Sequence, residues 1–310
     1  MNKYKILLTG GNGMVGRNIL EHPSIENFEI KAPSSRELDL RDYHAVKSFF
    51  FSYKPDMVIH AAGKVGGIQA NIREPVSFFV DNMDMGRNVV FASKVVGVKR
   101  MINLGSSCMY PRNHLEPLVE EMILKGELEP TNEGYALAKV AISRLCDYVM
   151  QEDNTYQYKT IIPCNLYGKY DKFNPSNSHL IPSIIHKIYQ AKKEGLSTVE
   201  VWGDGTARRE FMYAGDLADA IVWAVNNFEK LPLYLNLGIG NDYSINDYYR
   251  VIAEVLGYDG KFKHDISKPT GMFRKLLNID KQKAIGWNAK TDLVMGIERT
   301  YNYYIKETLE

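Results

Sequence analysis

The sequence predicts an α/β fold, a doubly wound parallel sheet followed by a smaller mixed α/β lobe. Three observations carry this. Short apolar runs alternate with helical stretches through the first half of the 310-residue chain. A glycine-rich turn, Gly10-Gly11-Asn12-Gly13-Met14-Val15-Gly16, joins the first apolar run to the first helix. Beyond Gly168 the alternation gives way to polar, turn-rich segments with strands of their own.

The elements follow in order. Lys5–Thr9 reads as a short apolar strand, and a helix runs from Met14 to Glu21. Gly10, Gly13 and Gly16 space a G-x-x-G-x-x-G motif between them. Such glycines permit a tight turn and close backbone approach, and the helix N-terminus offers unpaired N–H groups to a pyrophosphate. A Rossmann-type dinucleotide site is the expectation. The second strand, Phe28 to Ala32, should end near the adenosine ribose, where a carboxylate would bind the 2′-hydroxyl. Instead it leads into Pro33-Ser34-Ser35-Arg36, two hydroxyls and a cation that suit a 2′-phosphate and point to NADP, with Glu37 and Asp39 close by.

Asp39 opens a helix to Tyr53 that Pro55 ends, and Met57–Ala62 is a third buried strand. It delivers Gly63-Lys64-Val65-Gly66-Gly67, a loop suited to passing under the cofactor. A long helix spans Pro75–Val96, and Arg100–Leu104 is a strand followed by Gly105-Ser106-Ser107-Cys108. Next, Glu133-Gly134-Tyr135-Ala136-Leu137-Ala138-Lys139 starts a helix. Tyr135 and Lys139, at i and i+4, share one face, and an ammonium near a phenol favours phenolate and proton transfer nearer neutral pH. Lys159–Ile162 is a strand, and Pro163–Gly168 leaves it as a loop.

In the second half a helix spans Leu180–Lys193, strands Thr198–Trp202 and Arg208–Phe211 flank a Gly203–Thr206 turn, and helices cover Asp216–Asn226 and Ile245–Leu256. The expected division is residues 1–168 as a cofactor-binding domain and residues 169–310 as mostly a substrate-binding lobe, with a segment near 211–240 returning to the first.

Bulk properties exclude several classes. With 38 basic against 37 acidic residues the net charge is +1, giving no electrostatic case for nucleic acid or a membrane surface. Three cysteines without metal spacing, Cys108, Cys146 and Cys164, fit a reduced cytoplasmic compartment and no metal site. Met1–Lys5 leads straight into a strand rather than a signal peptide, and there is no apolar run of about 18 residues.

Taken together, the residues resemble the extended short-chain dehydrogenase/reductase superfamily, and within it the GDP-L-fucose synthase (GDP-4-keto-6-deoxymannose epimerase/reductase) family. The matching blocks are GGNGMVG at 10–16, HAAGKVGGIQAN at 60–71, LGSSCMYP at 104–111, EPTNEGYALAK at 129–139, NPSNSHLIP at 174–182, VWGDGTARREF at 201–211 and SKPTGMFRKLL at 267–277. The resemblance implies a reductase triad of Ser106, Tyr135 and Lys139, with Ser107 as an alternative hydroxyl. It also implies Cys108 and His179 as an epimerisation pair, because a C4 ketone acidifies the hydrogens on C3 and C5. Cofactor contacts would come from Gly10, Asn12, Gly13, Met14, Val15, Gly16, Ser34, Ser35, Arg36, Ala61, Ala62, Leu104, Gly105, Lys139, Pro163, Asn165, Leu166 and His179. Substrate contacts would come from Ser107, Asn165, Lys187, Trp202, Arg209 and Lys275.

The implied reaction is NADPH-dependent C4-keto reduction, with C3/C5 epimerisation, of a GDP-4-keto-6-deoxy sugar for surface polysaccharide such as capsule, in a cytoplasmic homodimer. Departures from the family pattern stand at Asn12, Gly134, Lys187, Thr270 and Asn278, several of them around the sugar nucleotide. They leave room for a C4-reductase of a GDP-6-deoxy-4-keto-heptose without epimerisation. A non-catalytic NADP-binding sensor or scaffold is the reading from another class.

Overall fold

A computed structural model of the chain describes residues 3–174, 178–268 and 272–309. The first half is a chain of strand–helix units: β1 (Lys5–Thr9), α1 (Met14–Leu20), β2 (Glu29–Lys31), α2 (Tyr43–Tyr53), β3 (Met57–His60), α3 (Ile68–Arg73), α4 (Pro75–Val96), β4 (Arg100–Leu104), α5 (Glu133–Glu152) and β5 (Gln157–Pro163). Continuing, the chain forms β6 (Asn165–Tyr167), α6 (Leu180–Lys193), β7 (Thr198–Trp202), β8 (Arg208–Arg209), β9 (Phe211–Tyr213), α7 (Ala214–Asn226) and β10 (Tyr234–Leu237). It closes with β11 (Tyr243–Ser244), α8 (Ile245–Leu256), β12 (Lys261–Asp265), β13 (Arg274–Lys275), α9 (Asp280–Ala284) and α10 (Leu293–Leu309).

Six strands form one parallel sheet in the order β10-β5-β4-β3-β1-β2. This is the doubly wound Rossmann-type arrangement. The central strands are buried on both faces, Ile6, Leu8, Ile59 and Ile102 packing to one side and Leu7, Val58 and Met101 to the other. The order in which strands are added reverses between β1 and β3, so a crevice opens at their carboxyl ends, where open α/β sheets bind ligands. Small parallel pairs, β6 with β9 and β7 with β12, and a β11-β8-β13 sheet make up the mixed remainder. A third core, with Ile184, Ile188, Val201, Tyr248 and Ile252, lies under α6 and α8.

Four expectations are corrected. The helix expected from Asp39 begins at Tyr43, because Asp42 caps it by accepting from His44 and Ala45 N–H, while Asp39 closes a turn on Arg41. The stretch read as a loop after Ile162 is ordered: Pro163 ends β5, and Asn165–Tyr167 pairs with Phe211–Tyr213. The single strand expected at Arg208–Phe211 is two, broken at Glu210, whose side chain is buried. Finally, the glycine loop after β3 runs into a helix the periodicity did not reveal, α3.

Candidate active site

The crevice is built by glycines. Gly10 has φ of 77°, and a Cβ on it would lie 2.7 Å from the Ala62 backbone; one on Gly16 would lie 2.2 Å from Gly10 O. Side chains at either position would fill the space between β1, β3 and α1, and no side chain caps the α1 N-terminus. These residues fit a dinucleotide pyrophosphate. Gly13 N–H closes the turn on Gly10 O, Asn12 is exposed, and Met14 and Val15 are half-buried behind the turn.

Beyond β2 the ribose end differs from expectation in one particular. Both N–H and Oγ of Ser34 donate to the Glu37 carboxylate, at 2.7 and 2.8 Å, so Ser34 is tied into the turn. Those bonds hold the Glu37 carboxyl below the usual range. Ser35 and Arg36 are exposed beside it.

The end of β4 and the start of α5 carry the residues of the expected triad. Lys139 is buried and its Nζ donates to Leu104 O at 2.9 Å, at the end of β4. A Cβ on Gly63 would stand 3.6 Å from that Nζ, so the ammonium sits between the β4 terminus and the glycine loop. Burial pushes its pKa down to about 8. Gly105 N–H donates to Ile161 O and keeps β4 in register as it turns into Ser106. Ser106, not Ser107, is the hydroxyl in hydrogen-bonding contact with Tyr135; Ser107 is buried.

The expected phenolate shift is overturned. Burial first, then the Cys108 sulfur, drive the Tyr135 pKa upward, with the Ser106 contact opposing. Lys139 Nζ lies 5.9 Å from the ring centroid and is engaged by Leu104 O. Desolvation therefore outweighs the ammonium, and Tyr135 is a protonated donor at neutral pH.

Cys108 is half-buried, and two donors converge on its Sγ: Asn132 Nδ2 at 3.1 Å and Lys275 Nζ at 3.5 Å. His179 stands at the N-cap of α6, and its pKa is lowered by burial and then by Lys172, so the imidazole is neutral at pH 7. A Cβ on Gly67 would lie 2.7 Å from Ser178 O, so the segment leading to His179 packs on the loop that follows β3.

The expected substrate cations divide into two groups. Lys187 Nζ lies 5.2 Å from the Trp202 ring, which is 40% exposed and held by its Nε1–H on Glu200. Arg209 and Lys275 instead lie at the cysteine: Arg209 is near Cys108, and Lys275, expected at a diphosphate, contacts the sulfur. Asn165 donates to Glu210 O at 2.9 Å, and Leu166, half-buried, pairs with Met212. Among the departures, Asn278 donates to Asp280, Gly134 packs on Pro75 and Phe79, and Thr270 lies outside the described residues.

Sequence reasoning missed two residues. Asn132 was within a quoted block three residues before Tyr135, but nothing local shows that its amide reaches Cys108. Glu210 is the other. Its buried carboxylate accepts from Ile239, Gly240 and Leu277 N–H at 2.7, 2.8 and 2.9 Å, fastening the β10 loop and the segment after β13 beside Arg209.

Comparison with known proteins agrees with this fold. Residues 6–240 match the model of the NAD dependent epimerase/dehydratase family. A GDP-L-colitose synthase of Yersinia pseudotuberculosis is 54% identical, covering 98% of each chain. A GDP-L-fucose synthase of Azorhizobium caulinodans is 48% identical over 97% of this chain and 96% of its own. Among solved structures, a GDP-6-OMe-4-keto-L-xylo-heptose reductase from Campylobacter jejuni superposes with a TM-score of 0.90 at 28% identity, covering 99% of each chain. A GDP-L-fucose synthetase from Naegleria fowleri bound to NADP gives 0.89 at 28% identity, over 100% of this chain and 95% of that one.

Proposed function

The chain belongs to the NAD dependent epimerase/dehydratase family, in the branch with the GDP-L-fucose and GDP-L-colitose synthases, and we propose that it reduces the C4 ketone of a GDP-4-keto-6-deoxy sugar and epimerises the neighbouring centres. Its cofactor is NADP. The observation that carries the reading is the convergence of Ser106, a protonated Tyr135 and the Cys108 sulfur, with Lys139 at the β4 terminus.

When bound, NADPH supplies the hydride for C4. Tyr135 gives its proton to the O4 that becomes alkoxide, with Ser106 sharing that oxygen, and Lys139 orients the ribose side of the crevice. Before reduction the C4 ketone makes the C3 and C5 hydrogens acidic. Cys108 removes one, and His179 returns a proton to the opposite face. Lys187, Trp202 and Arg209 serve the nucleotide diphosphate, Ser35 and Arg36 the cofactor's 2′-phosphate. Residues 1–168 with 211–240 hold the cofactor, and most of 169–310 holds the sugar nucleotide.

Among the described residues no helix is long and apolar enough to cross a membrane. We place the enzyme in the cytoplasm as a homodimer that feeds surface polysaccharide synthesis. Support for the dimer is the apolar outer face of α4 and α5, argued below.

A second reading keeps the reduction and drops epimerisation, acting on a heptose; a heptose reductase of the same fold, at a TM-score of 0.90, is the precedent for it. One experiment separates the two. NADPH oxidation is followed with GDP-4-keto-6-deoxymannose and with GDP-6-deoxy-4-keto-heptoses in heavy water, and the products are examined by NMR. Deuterium at C3 or C5 supports the bifunctional enzyme. Reduction without deuterium leaves a reductase, and no oxidation with any of these sugars removes the proposal.

A further inference from the structure

Lys275 and Arg209 reach Cys108 from a sheet of very short strands. β8 and β13 are two residues each, and they pair with Arg208 opposite Arg274 and Arg209 opposite Lys275. Successive side chains of a strand leave on opposite faces. Arg209 and Lys275 share the face at the sulfur, where Lys275 Nζ stands 3.5 Å from Cys108 Sγ. Arg208 and Arg274 share the other face.

That other face is held by Asp242, which is 3% exposed and directly precedes β11. Its Oδ1 accepts from Arg208 Nε at 2.8 Å, and its Oδ2 accepts from Arg274 Nε at 2.5 Å. Arg208 Nη2 also donates to Asp242 O at 2.6 Å. Arg274 Nη1 donates to Leu115 O at 2.8 Å, on the segment that leads away from Cys108. One carboxylate thus takes a guanidinium from each strand, and one of those groups reaches back to the cysteine's own segment. Strands this short do not fix their own pairing. Charged hydrogen bonds are directional, and with both carboxylate oxygens engaged they select one alignment of β8 with β13.

Resting on the epimerase reading above, we propose that Asp242 is a positioning residue for the Cys108 base: by tying Arg208 to Arg274 it sets β8 against β13 and holds the Lys275 ammonium at the sulfur. A sulfur that takes a proton from carbon acts as a thiolate, and a neighbouring cation favours that form. Asp242 acts through Lys275, from the opposite face of the sheet. Asparagine in its place keeps the volume but leaves two guanidinium groups side by side without their counter-charge, and the strands lose the tie on which Lys275 depends.

The test reads the sulfur directly and needs no substrate. Alkylation of Cys108 by iodoacetamide at pH 7 is timed on the full chain by peptide mass spectrometry, which separates it from the buried Cys146 and Cys164. Lys275→Met should slow the reaction about tenfold, and Asp242→Asn at least about threefold. Adding Asp242→Asn to Lys275→Met should slow it no further, because the aspartate works through the lysine. Asp242→Glu, which restores the charge, should recover part of the rate. Alkylation of Asp242→Asn at the wild-type rate would overturn the proposal. Losses that multiply in the double variant would also overturn it, since they mark a general loosening of the lobe. NADPH titration checks that each variant is folded. If Asp242→Asn is not, Arg274→Gln takes its place and leaves the Asp242–Arg208 pair intact. Slower alkylation that disappears in the Lys275→Met background then supports the tie, and an unchanged rate overturns it. The epimerase reading is scored apart, by deuterium at C3 or C5 of the wild-type product. No deuterium beside a coupled alkylation panel sinks that reading and leaves Asp242 its hold on Lys275.

Discussion

Tyr135 has lost water on most sides, and that fixes the direction in which it can act. A phenol whose pKa is raised by burial holds its proton at neutral pH, as a donor to a nascent alkoxide must. Tyr135→Phe removes the proton and little volume. NADPH oxidation should fall at least about a hundredfold while NADPH binding, read by fluorescence titration, stays within about threefold. Glu210 behaves differently: burial raises its pKa from 4.5 to about 7 against the pull of three N–H donors. An acid with a raised folded pKa contributes stability fully below its unfolded value, and that contribution is lost as pH rises through 7. Wild type should therefore lose up to roughly 3 kcal/mol between pH 4.5 and 8 from this group. Urea melts of Glu210→Gln should show a flatter pH dependence over that interval; parallel curves would deny Glu210 its raised pKa. Tyr135 and Lys139 were legible because i and i+4 is a local relation. Lys275 was not, since its approach to Cys108 joins positions 167 apart.

At the scale of elements, the glycine turn is where backbone geometry and cofactor chemistry coincide. Gly16 belongs to α1, yet a Cβ there would overlap Gly10 O and Gly11 Cα, both of them backbone. Rigid neighbours cannot rotate away, so α1 must shift from β1. Gly16→Ala should cost about 1–3 kcal/mol in thermal or urea unfolding and weaken NADPH binding at least tenfold. A variant with wild-type affinity would show that the pyrophosphate does not sit on this turn. Strand-to-helix units such as β1–α1 and β4 with its serine turn were readable, because apolar runs bounded by glycine carry their own signal. The β6–β9 pair was not. Asn165-Leu166-Tyr167 and Phe211-Met212-Tyr213 are each three residues long, too short for a period, and exist as strands only because they meet.

Over the whole molecule, sheet order was legible only in class. Alternating elements imply a parallel sheet, but β10 joining β5 at the edge is a contact between Tyr234–Leu237 and Thr160–Pro163 that no local pattern announces. The outer surface carries a further consequence. Val76, Val80, Phe91 and Val95 are all exposed on α4, at spacings of four, eleven and four that keep one face, and Leu137 and Tyr148 are exposed on the adjacent α5. Asp84 and Arg87, paired at 3.9 Å, and Lys94, paired with Glu152, interrupt the stripe on α4. An apolar face crossing two packed helices marks a protein interface when it exceeds a few hundred Å². A symmetric pairing of two such faces would bury both stripes, the self-complementary relation a two-fold dimer requires. Sedimentation should give twice the chain mass for wild type, and Val80→Asp with Phe91→Asp should give the monomer. The glycine turn between β1 and α1 carries none of these residues, so the monomer should still bind NADPH. Wild type sedimenting as a monomer would leave the exposed valines and phenylalanine without that partner.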